Sequence, residues 1–372
     1  MKTTHKSLNM LSLKSKRIII RILSFGLCIA FFGFVFTLLE NGLLGDLEEF
    51  PVTRNPYDFK DAIIVYPIGA FIVGLIIGGI EMFFLEKRFL KVSFLVKLLA
   101  KSGFYILIIS LFFYIITIVS SSITKEMPIW SQEVLETGAK FFGNSLHLAL
   151  LIYAGGIITI LLFLFEVIDY LGQGIIINYM TGKYHTPKEE ERIFMFLDMK
   201  SSTSIAEKLG HIKYFKLLQK YYADMANPIE SYSGKVYQYV GDEIVVSWDL
   251  DTGIKNNNCL ECFFSLKKTF DKLTKSYENE FGLTPEFKAA LHYGSITTGE
   301  IGILKKEIFF TGDALNTTSR MEKLCNVHNV DCLISKSLLS RLKGIPKLSI
   351  KNIGEHLLRG KENPVDLFAI SY

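Results

Sequence analysis

The chain has few of the residues that build disulfide scaffolds or zinc centres. Its 372 residues include five cysteines, and their spacing shows no disulfide pattern. Cys259 and Cys262 form a single C-x-x-C pair, which is too few ligands for a zinc site and lacks the strand-to-helix context of a redox motif. We therefore interpret the cysteines as structural thiols.

A strong charge imbalance, internal repeats and low-complexity tracts are also absent. The formal net charge is +4 at pH 7, and most of the excess lies in short basic segments beside apolar stretches. Such segments are typical of membrane proteins and do not indicate a nucleic-acid partner. We expect none.

Long apolar stretches dominate the first half of the chain. Four of them reach about 18 apolar residues with little charge, which is the length that crosses a bilayer. Basic residues precede the first stretch as in a signal peptide, but no small-residue cleavage site follows it, so we interpret it as a span. The predicted spans cover about 22–40, 62–84, 103–120 and 146–167.

The charge of the loops between these stretches predicts their orientation. The N-terminal segment is basic, and so is the loop that contains Lys87, Arg88, Lys91, Lys97 and Lys101. The loop after the first stretch is acidic and contains Asp46, Glu48, Glu49 and Asp58. The positive-inside rule then places both termini in the cytoplasm, which agrees with an even number of spans. We predict a multi-pass protein of the cell membrane with a cytoplasmic soluble part.

The hydrophobic pattern changes after the fourth stretch. We predict a membrane domain over 1–167, a connector over 168–192 that includes the charged run 188–192, and a soluble α+β domain over 193–372. In that domain a strand at 193–197, a helix at 203–225, a hairpin at 235–248, a helix at 257–280 and a strand at 286–293 follow one another. This is the ferredoxin-like, split βαβ order.

The segment 309–321 carries an amide and a guanidinium four residues apart. Asn316 and Arg320 follow a glycine turn, and on a helix this spacing places both on one face. An amide can fix a sugar or phosphate oxygen, and an arginine can neutralise charge that grows in a transition state. The pair therefore suits a polyanionic substrate.

Two carboxylates are predicted to lie close together on the sheet. Asp198 ends the first strand, Asp242 lies in the hairpin turn, and Thr203 stands at a helix start whose free N–H groups favour a phosphate. Carboxylate oxygens at strand ends hold hard cations and leave room for substrate phosphates. The combination predicts a two-metal site.

Five motifs in this order resemble the class III nucleotidyl cyclases, the adenylyl and guanylyl cyclases, whose catalytic fold is palm-type. The spacing between Asp198 and Asp242 also fits that family. The motifs are FLDMKSST at 196–203, YVGDE at 239–243, GSITTGEIG at 294–302, GDALNTTSR at 312–320 and LRGK at 358–361.

The resemblance implies roles for single residues. Asp198, Asp242 and the backbone carbonyl of Met199 would hold two Mg²⁺ or Mn²⁺ ions, Asn316 would orient the ribose, and Arg320 would stabilise the α-phosphoryl. Arg359 and Lys361 would contact the triphosphate, with Thr203 at the phosphate-binding helix start. The family's metal pair and Asn/Arg pair come from opposite subunits, which implies a homodimer.

The positions that read the purine depart from the family pattern. Adenylyl cyclases usually carry a lysine where this chain has Gln238, and an aspartate or threonine where it has Phe309. Glutamine can donate and accept hydrogen bonds, whereas phenylalanine can only pack. Thr311 or Glu307 could supply the missing contact. ATP is favoured over GTP as the substrate, but the choice stays open.

Two other readings of the soluble domain stay open. A diguanylate cyclase has a similar core, and 240–244 resembles its turn motif, although residue 240 is valine. A degenerate cyclase that binds nucleotide and signals by conformation is the second. The spans could act as a sensor or as a dimerising anchor, and we interpret Glu81 and His147 as edge residues that snorkel.

Overall fold

The structure is a computed structural model in which the chain divides into two compact units. One unit comprises Ser15–Ile176, and the other contains the chain from Ile177 onward. The description below covers residues 13–45, 49–50, 52–53, 55–85, 88–89, 92–172, 175–344 and 348–371.

The first unit is a bundle of helices. Four of its helices are long and apolar enough to cross a membrane, and each contains one of the four predicted apolar stretches. A π-helical turn, Glu81–Leu85, extends the second of them. The helices are α1 Leu13–Leu44, α2 Phe59–Ile80, α3 Phe94–Thr124, the short α4 Gln132–Phe142 and α5 Ser145–Leu171.

Lys97, Lys101 and Glu81 are paired inside the bundle, which corrects the expectations that the two lysines lie in a loop and that Glu81 snorkels. Lys97 and Lys101, assigned above to a basic loop, belong to α3, where they form ion pairs with Glu166 and Glu81. Glu81 is 2% exposed and therefore does not snorkel. The reason is physical: a charge among apolar helices is costly unless an opposite charge or a hydrogen bond compensates it.

His147 does not snorkel either. It is 3% exposed, and its Nε2 lies 3.1 Å from Ser110 Oγ. Arg21 of α1 forms a further pair with Asp169 of α5, at 2.8 Å. Of the loop residues used to predict orientation, Lys87, Lys91, Asp46 and Glu48 lie outside the described residues.

The predicted connector contains a short helix and the start of a strand. Helix α6 covers Ile175–Met180. The charged run at 188–192 is not part of the connector, because it forms the first five residues of β1, Lys188–Met199. These polar residues suit a strand because they pair with each other: Arg192 is 3% exposed and donates to Glu190 Oε2 at 3.0 Å.

The second unit is a mixed sheet of eight strands with helices on both faces. Its strand order is β2-β3-β1-β4-β6-β8-β7, with β5 paired to β4. The first four strands have the ferredoxin-like order, so the predicted fold class is confirmed. The remaining strands are β2 Lys235–Val240, β3 Glu243–Asp249, β4 Phe287–Ile301, β5 Glu307–Thr311, β6 Cys332–Ser335, β7 Ser349–His356 and β8 Val365–Ser371.

One predicted helix is two helices in the structure. The pattern over 203–225 is interrupted at Gly210, whose φ of 73° ends the first helix and starts the second. Glycine adopts such a conformation without the strain that a side chain would cause. The helices of this unit are α7 Ser202–Leu209, α8 His211–Ser231, α9 Leu250–Ile254, α10 Asn258–Phe281, α11 Asp313–His328 and α12 Lys336–Leu339.

Alternation along β1 divides the core between the two faces of the sheet. Ile193, Met195 and Leu197 pack in one cluster with side chains of α8 and α10. Phe194 and Phe196 point to the opposite face and pack against Ala314 of α11. Since side chains alternate along a strand, Asp198 lies on the α11 face of the sheet. The alternation of side chains along β1 therefore determines that α11 faces the carboxylate of Asp198.

Trp248 provides a test of this core. It is fully buried, and its Nε1 donates to the Tyr232 carbonyl at 2.8 Å. We expect Trp248→Ala to lower the free energy of unfolding of this unit by about 3–5 kcal/mol, because it leaves a cavity and removes this hydrogen bond. Denaturant-dependent labelling of the buried thiols Cys259 and Cys262 measures the loss. Trp130, 76% exposed, is the matched control; equal losses for Trp130→Ala and Trp248→Ala would contradict the expectation.

Candidate active site

Asp198 and Asp242 lie together at one end of the sheet. Asp198 pairs in register with Glu243 of β3 and with Lys288 of β4. Asp242 lies in the turn between β2 and β3, and its carboxyl is close enough to that of Asp198 to raise the pKa of Asp198. Met199 follows in β1 with its side chain buried in the core, so only its backbone can face this site. The structure therefore brings the three predicted metal-binding residues together.

A tyrosine fixes the turn that carries Asp242. The hydroxyl of Tyr222, in α8, donates to the carbonyl of Gly241 at 2.8 Å and lies 3.3 Å from that of Glu243. Gly241 has φ 64°, a left-handed conformation that a tight turn requires and that glycine adopts most easily. Tyr222 was not predicted from the sequence, since it lies in an amphipathic helix where a tyrosine is ordinarily a packing residue.

A buried ion pair stands directly beside Asp198. Lys288 is 6% exposed, and its Nζ lies 3.2 Å from Asp198 Oδ2 and 2.8 Å from Glu322 Oε1. Glu322 is 3% exposed and belongs to α11. Sequence reasoning missed both residues. The available signal was a lone lysine within the apolar strand run at 287–291.

The carboxylates accumulate more negative charge than Lys288 offsets. Burial raises the pKa of Asp198 to about 6, with further increases from the charges of Glu322 and Asp242. Burial and the charge of Glu322 also raise the pKa of Glu243 to about 7. Each shift means that the ionised form is disfavoured until a positive charge arrives.

This donor set fits a hard divalent cation. Oxygen ligands of this kind suit Mg²⁺ and Mn²⁺, which commonly bind through one or two carboxylates plus substrate phosphates. Within the described residues, no group of three or more His, Cys, Asp or Glu side chains could hold a metal by itself. Further ligands would have to come from the backbone, water or a bound phosphate.

Helix α11 presents a polar face that contains the predicted Asn/Arg pair. Asp313, Asn316, Thr317 and Arg320 follow a helical spacing along one side. Thr317 is buried and donates to Asp313 Oδ2 at 3.2 Å. Among the described residues, neither the exposed Asn316 nor the half-buried Arg320 has a hydrogen bond or ion pair. Two strong donors are thus left available on this face.

Lys361 lies on the same face of α11. Its Nζ donates to Asp313 Oδ2 at 2.7 Å and to Thr317 Oγ1 at 3.1 Å. The turn before it contains Gly360 with φ 75°, and a Cβ there would lie 3.6 Å from Arg320 Nη1. The structure therefore brings Lys361 close to Arg320, while Arg359 is exposed on the same turn.

The two residues at the purine-reading positions lie on strands joined by an aromatic stack. Gln238 is exposed on β2, and Phe309 is 42% exposed on β5. Their chain neighbours Tyr237 and Phe310 stack with ring centroids 4.4 Å apart, and the Phe310 N–H donates to the Tyr237 hydroxyl at 3.1 Å. Tyr237 was not predicted from the sequence, because its inward direction depends on the β-bulge between Val236 and Gln238.

The last two predicted substrate residues are exposed at the ends of elements. Thr311 ends β5, and Thr203 lies in the first turn of α7. The residue that precedes α7, Ser201, has φ 56° and makes no side-chain cap. Ser201 therefore does not cap the first N–H groups of α7, and these groups can donate to an anion.

A family model identifies the class to which this fold and site belong. The adenylate and guanylate cyclase catalytic domain matches residues 185–371. The chain belongs to the adenylate and guanylate cyclase catalytic domain family. This assignment confirms the resemblance and replaces the diguanylate cyclase alternative.

Two curated relatives are adenylate cyclases by name. Adenylate cyclase 2 of Rhizobium meliloti (strain 1021) is 34% identical over 224 residues, which cover 60% of this chain and 62% of the relative. The adenylate cyclase of Anabaena cylindrica is 25% identical over 183 residues, which cover 47% of this chain and 36% of the relative. The chain therefore spans less than two thirds of the length of either one.

Among solved structures, the adenylyl cyclase CyaB from P. aeruginosa is 18% identical to this chain. The alignment covers 50% of this chain and 96% of that one, with a TM-score of 0.45.

The raised pKa of Asp198 predicts that cation binding depends on pH. A proton competes with a metal for a carboxylate, and the competing pKa is about 6. We expect the Mn²⁺ dissociation constant to rise about tenfold between about pH 7.5 and about pH 5. The electron paramagnetic resonance signal of free Mn²⁺ measures binding to the full chain. A dissociation constant that does not change over this range would contradict the assignment of Asp198 as a ligand.

Proposed function

We propose that the protein is a membrane-bound nucleotidyl cyclase that forms a 3′,5′-cyclic nucleotide and pyrophosphate. The observation that carries this proposal is the site itself. Asp198 and Asp242 concentrate negative charge at one end of the sheet, and α11 of the same unit offers Asn316 and Arg320 without partners among the described residues. A site for cations and a site for a polyanion thus occur in one catalytic unit.

Asp198, Asp242 and the Met199 carbonyl would hold two Mg²⁺ or Mn²⁺ ions, which supply activation of the ribose 3′-hydroxyl and neutralisation of the triphosphate. Tyr222 keeps the Asp242 turn in place through its two backbone contacts. Lys288, shared with Glu322, holds the Asp198 carboxylate on the α11 face. These residues position the ligands and do not touch the substrate.

The remaining residues act on the nucleotide. The ribose 3′-hydroxyl gives its proton to solvent and its oxygen forms a bond to the α-phosphorus, while the bond from that phosphorus to the oxygen bridging to the β-phosphorus breaks and pyrophosphate leaves. Arg320 donates to the α-phosphoryl oxygens, where negative charge grows, and Asn316 orients the ribose. Lys361, Arg359 and the α7 N–H groups near Thr203 bind the triphosphate, for which Lys361 exchanges its contact with Asp313.

A homodimer completes the site in this proposal. Asn316 and Arg320 have no partner among the described residues of their own chain, so they are available to a nucleotide held by the carboxylates of a second copy. A two-fold axis then creates two equivalent sites, each with its metal pair from one chain and its Asn/Arg pair from the other. A monomer would be inactive.

ATP is the favoured substrate, because both curated relatives are named adenylate cyclases. The Tyr237–Phe310 stack keeps β2 and β5 together, so Gln238 and Phe309 can act on one base. The glutamine amide can donate and accept, and the exposed phenylalanine ring can stack on a purine. Thr311, at the end of β5, offers a hydroxyl as a further contact.

The membrane unit would anchor this cyclase in the cell membrane, with both termini and the catalytic unit in the cytoplasm. Four apolar helices support insertion. The orientation follows from the basic N-terminal segment and from the positive-inside rule. In this arrangement the protein serves signal transduction, with its product released into the cytoplasm.

The direct test is product formation by the purified full chain with ATP and with GTP, each with Mn²⁺. We expect cyclic AMP to be the main product, Asp242→Asn to abolish its formation, and Arg320→Ala to lower the rate by about 10²–10³. Asp271→Asn, at an exposed carboxylate of α10, is the matched control and should leave the rate unchanged. Nucleotide binding without any cyclic product would instead establish the non-catalytic, degenerate reading.

Mixing two inactive variants tests the shared site. In a heterodimer of Asp242→Asn and Arg320→Ala chains, one site contains both lesions and the other contains neither. Random mixing should therefore restore about a quarter of the wild-type activity. The mixture is compared with each variant alone, after co-expression. If it is no more active than the separate variants, the metal pair and the Asn/Arg pair act within one chain.

A further inference from the structure

The bundle of the first unit contains a partly open cavity of about 520 Å³. Side chains from α1, α2, α3 and α5 line it, and the described residues of the loop between α1 and α2 border one end. This volume lies within the range of about 300–1,000 Å³ that is typical of small-molecule sites. We propose that the cavity binds a membrane-soluble amphiphile with an apolar body and an amine head.

The lining is apolar along most of its length. Representative side chains are Ile29, Phe32, Val73, Phe113, Ile157 and Ile158. Polar groups collect at the end beside the α1–α2 loop, where Glu40, Asn55 and Ser120 lie. A ligand that matches this distribution has one polar end and an apolar remainder, because unmatched polar groups would lose their hydrogen bonds on burial.

Glu40 determines the chemistry of the polar end. It is the single charged side chain among the described lining residues, and its Oε2 is buried without a hydrogen-bond partner among them. The neighbouring Asn55 already donates to Ser120 Oγ at 3.1 Å and accepts from Ser121 Oγ at 3.4 Å. A donor from the ligand can therefore satisfy Glu40, and an ammonium group would also neutralise it.

The cavity walls are held by contacts that do not involve a ligand. Tyr153 donates to the Phe32 carbonyl at 3.0 Å, which joins α5 to α1. A Cβ at Gly33 would lie 2.7 Å from that of Ala70, so α1 and α2 are in close contact there. By contrast, a Cβ at Gly69 would meet nothing within 4 Å. The cavity thus lies between helices that are in close contact, and it does not result from loose packing throughout the bundle.

Dodecylamine and dodecanol are suitable probes, because they share an apolar chain and differ in the head group. We expect saturable binding of radiolabelled dodecylamine to the full chain in phosphatidylcholine nanodiscs, above the partitioning into empty discs. Dodecanol should bind about tenfold more weakly, since it cannot form a charged hydrogen bond with Glu40. Binding does not depend on cyclase activity, so this result stands apart from the proposed function.

Three variants locate the binding. Glu40→Gln should remove the preference for the amine while dodecanol still binds. Gly69→Phe should fill the cavity and abolish the binding of both probes. Gly79→Phe is the matched control, since Gly79 lies in the same helix with open space around its Cβ and does not line the cavity; it should bind like wild type.

Two outcomes would overturn the proposal. One is the absence of saturable binding to the wild-type chain. The other is an unchanged preference for the amine in Glu40→Gln, which does not depend on whether Gly69→Phe folds. Wild-type binding by a folded Gly69→Phe would place the ligand elsewhere and would also overturn the site.

Discussion

Repulsion among partly buried carboxylates is the constraint around which the catalytic unit is arranged. Asp198, Asp242, Glu243 and Glu322 converge at one end of the sheet, with Lys288 as the buried counter-charge. Such an arrangement costs stability in the free protein, because burial disfavours each charge. Surrounding contacts hold the carboxylates in place despite this cost. Pairing of β1 with β3 and β4 fixes Asp198, and Tyr222 fixes the turn that contains Asp242. In the proposed function, a site arranged in this way would bind a cation without having to rearrange.

The sequence pointed to the residues that are proposed to act on the substrate, but not to the residues that pack around them. Asp198, Asp242, Asn316 and Arg320 are readable because strand ends, turns and helical spacing are local patterns. Lys288 and Glu322 are not, because their contact depends on how α11 packs over β4. Tyr237 was not predicted for a similar reason, because a single bulged residue reverses the direction in which a side chain points.

In the first unit, too, local patterns were predictable from the sequence, whereas contacts that depend on packing were not. Hydropathy located all four long helices, because crossing a bilayer requires a minimum apolar length. It misplaced Lys97 and Lys101, because a hydropathy average cannot distinguish a paired charge from a loop charge. The cavity could not be predicted from the sequence either, because an empty volume depends on how four helices pack together and has no signature in the sequence of any one of them.

Three ion pairs between described residues at one end of the long helices have a mechanical consequence. Arg21–Asp169, Lys97–Glu166 and Glu81–Lys101 join α1 to α5, α3 to α5, and α2 to α3, so the four long helices are linked in the series α1–α5–α3–α2. These ion pairs lie at the end of the bundle from which the chain leaves through Leu171. Breaking one pair would leave a charge among apolar helices, so the four helix ends resist shearing separately. A displacement of one of these helix ends is therefore transmitted to the next through an ion pair.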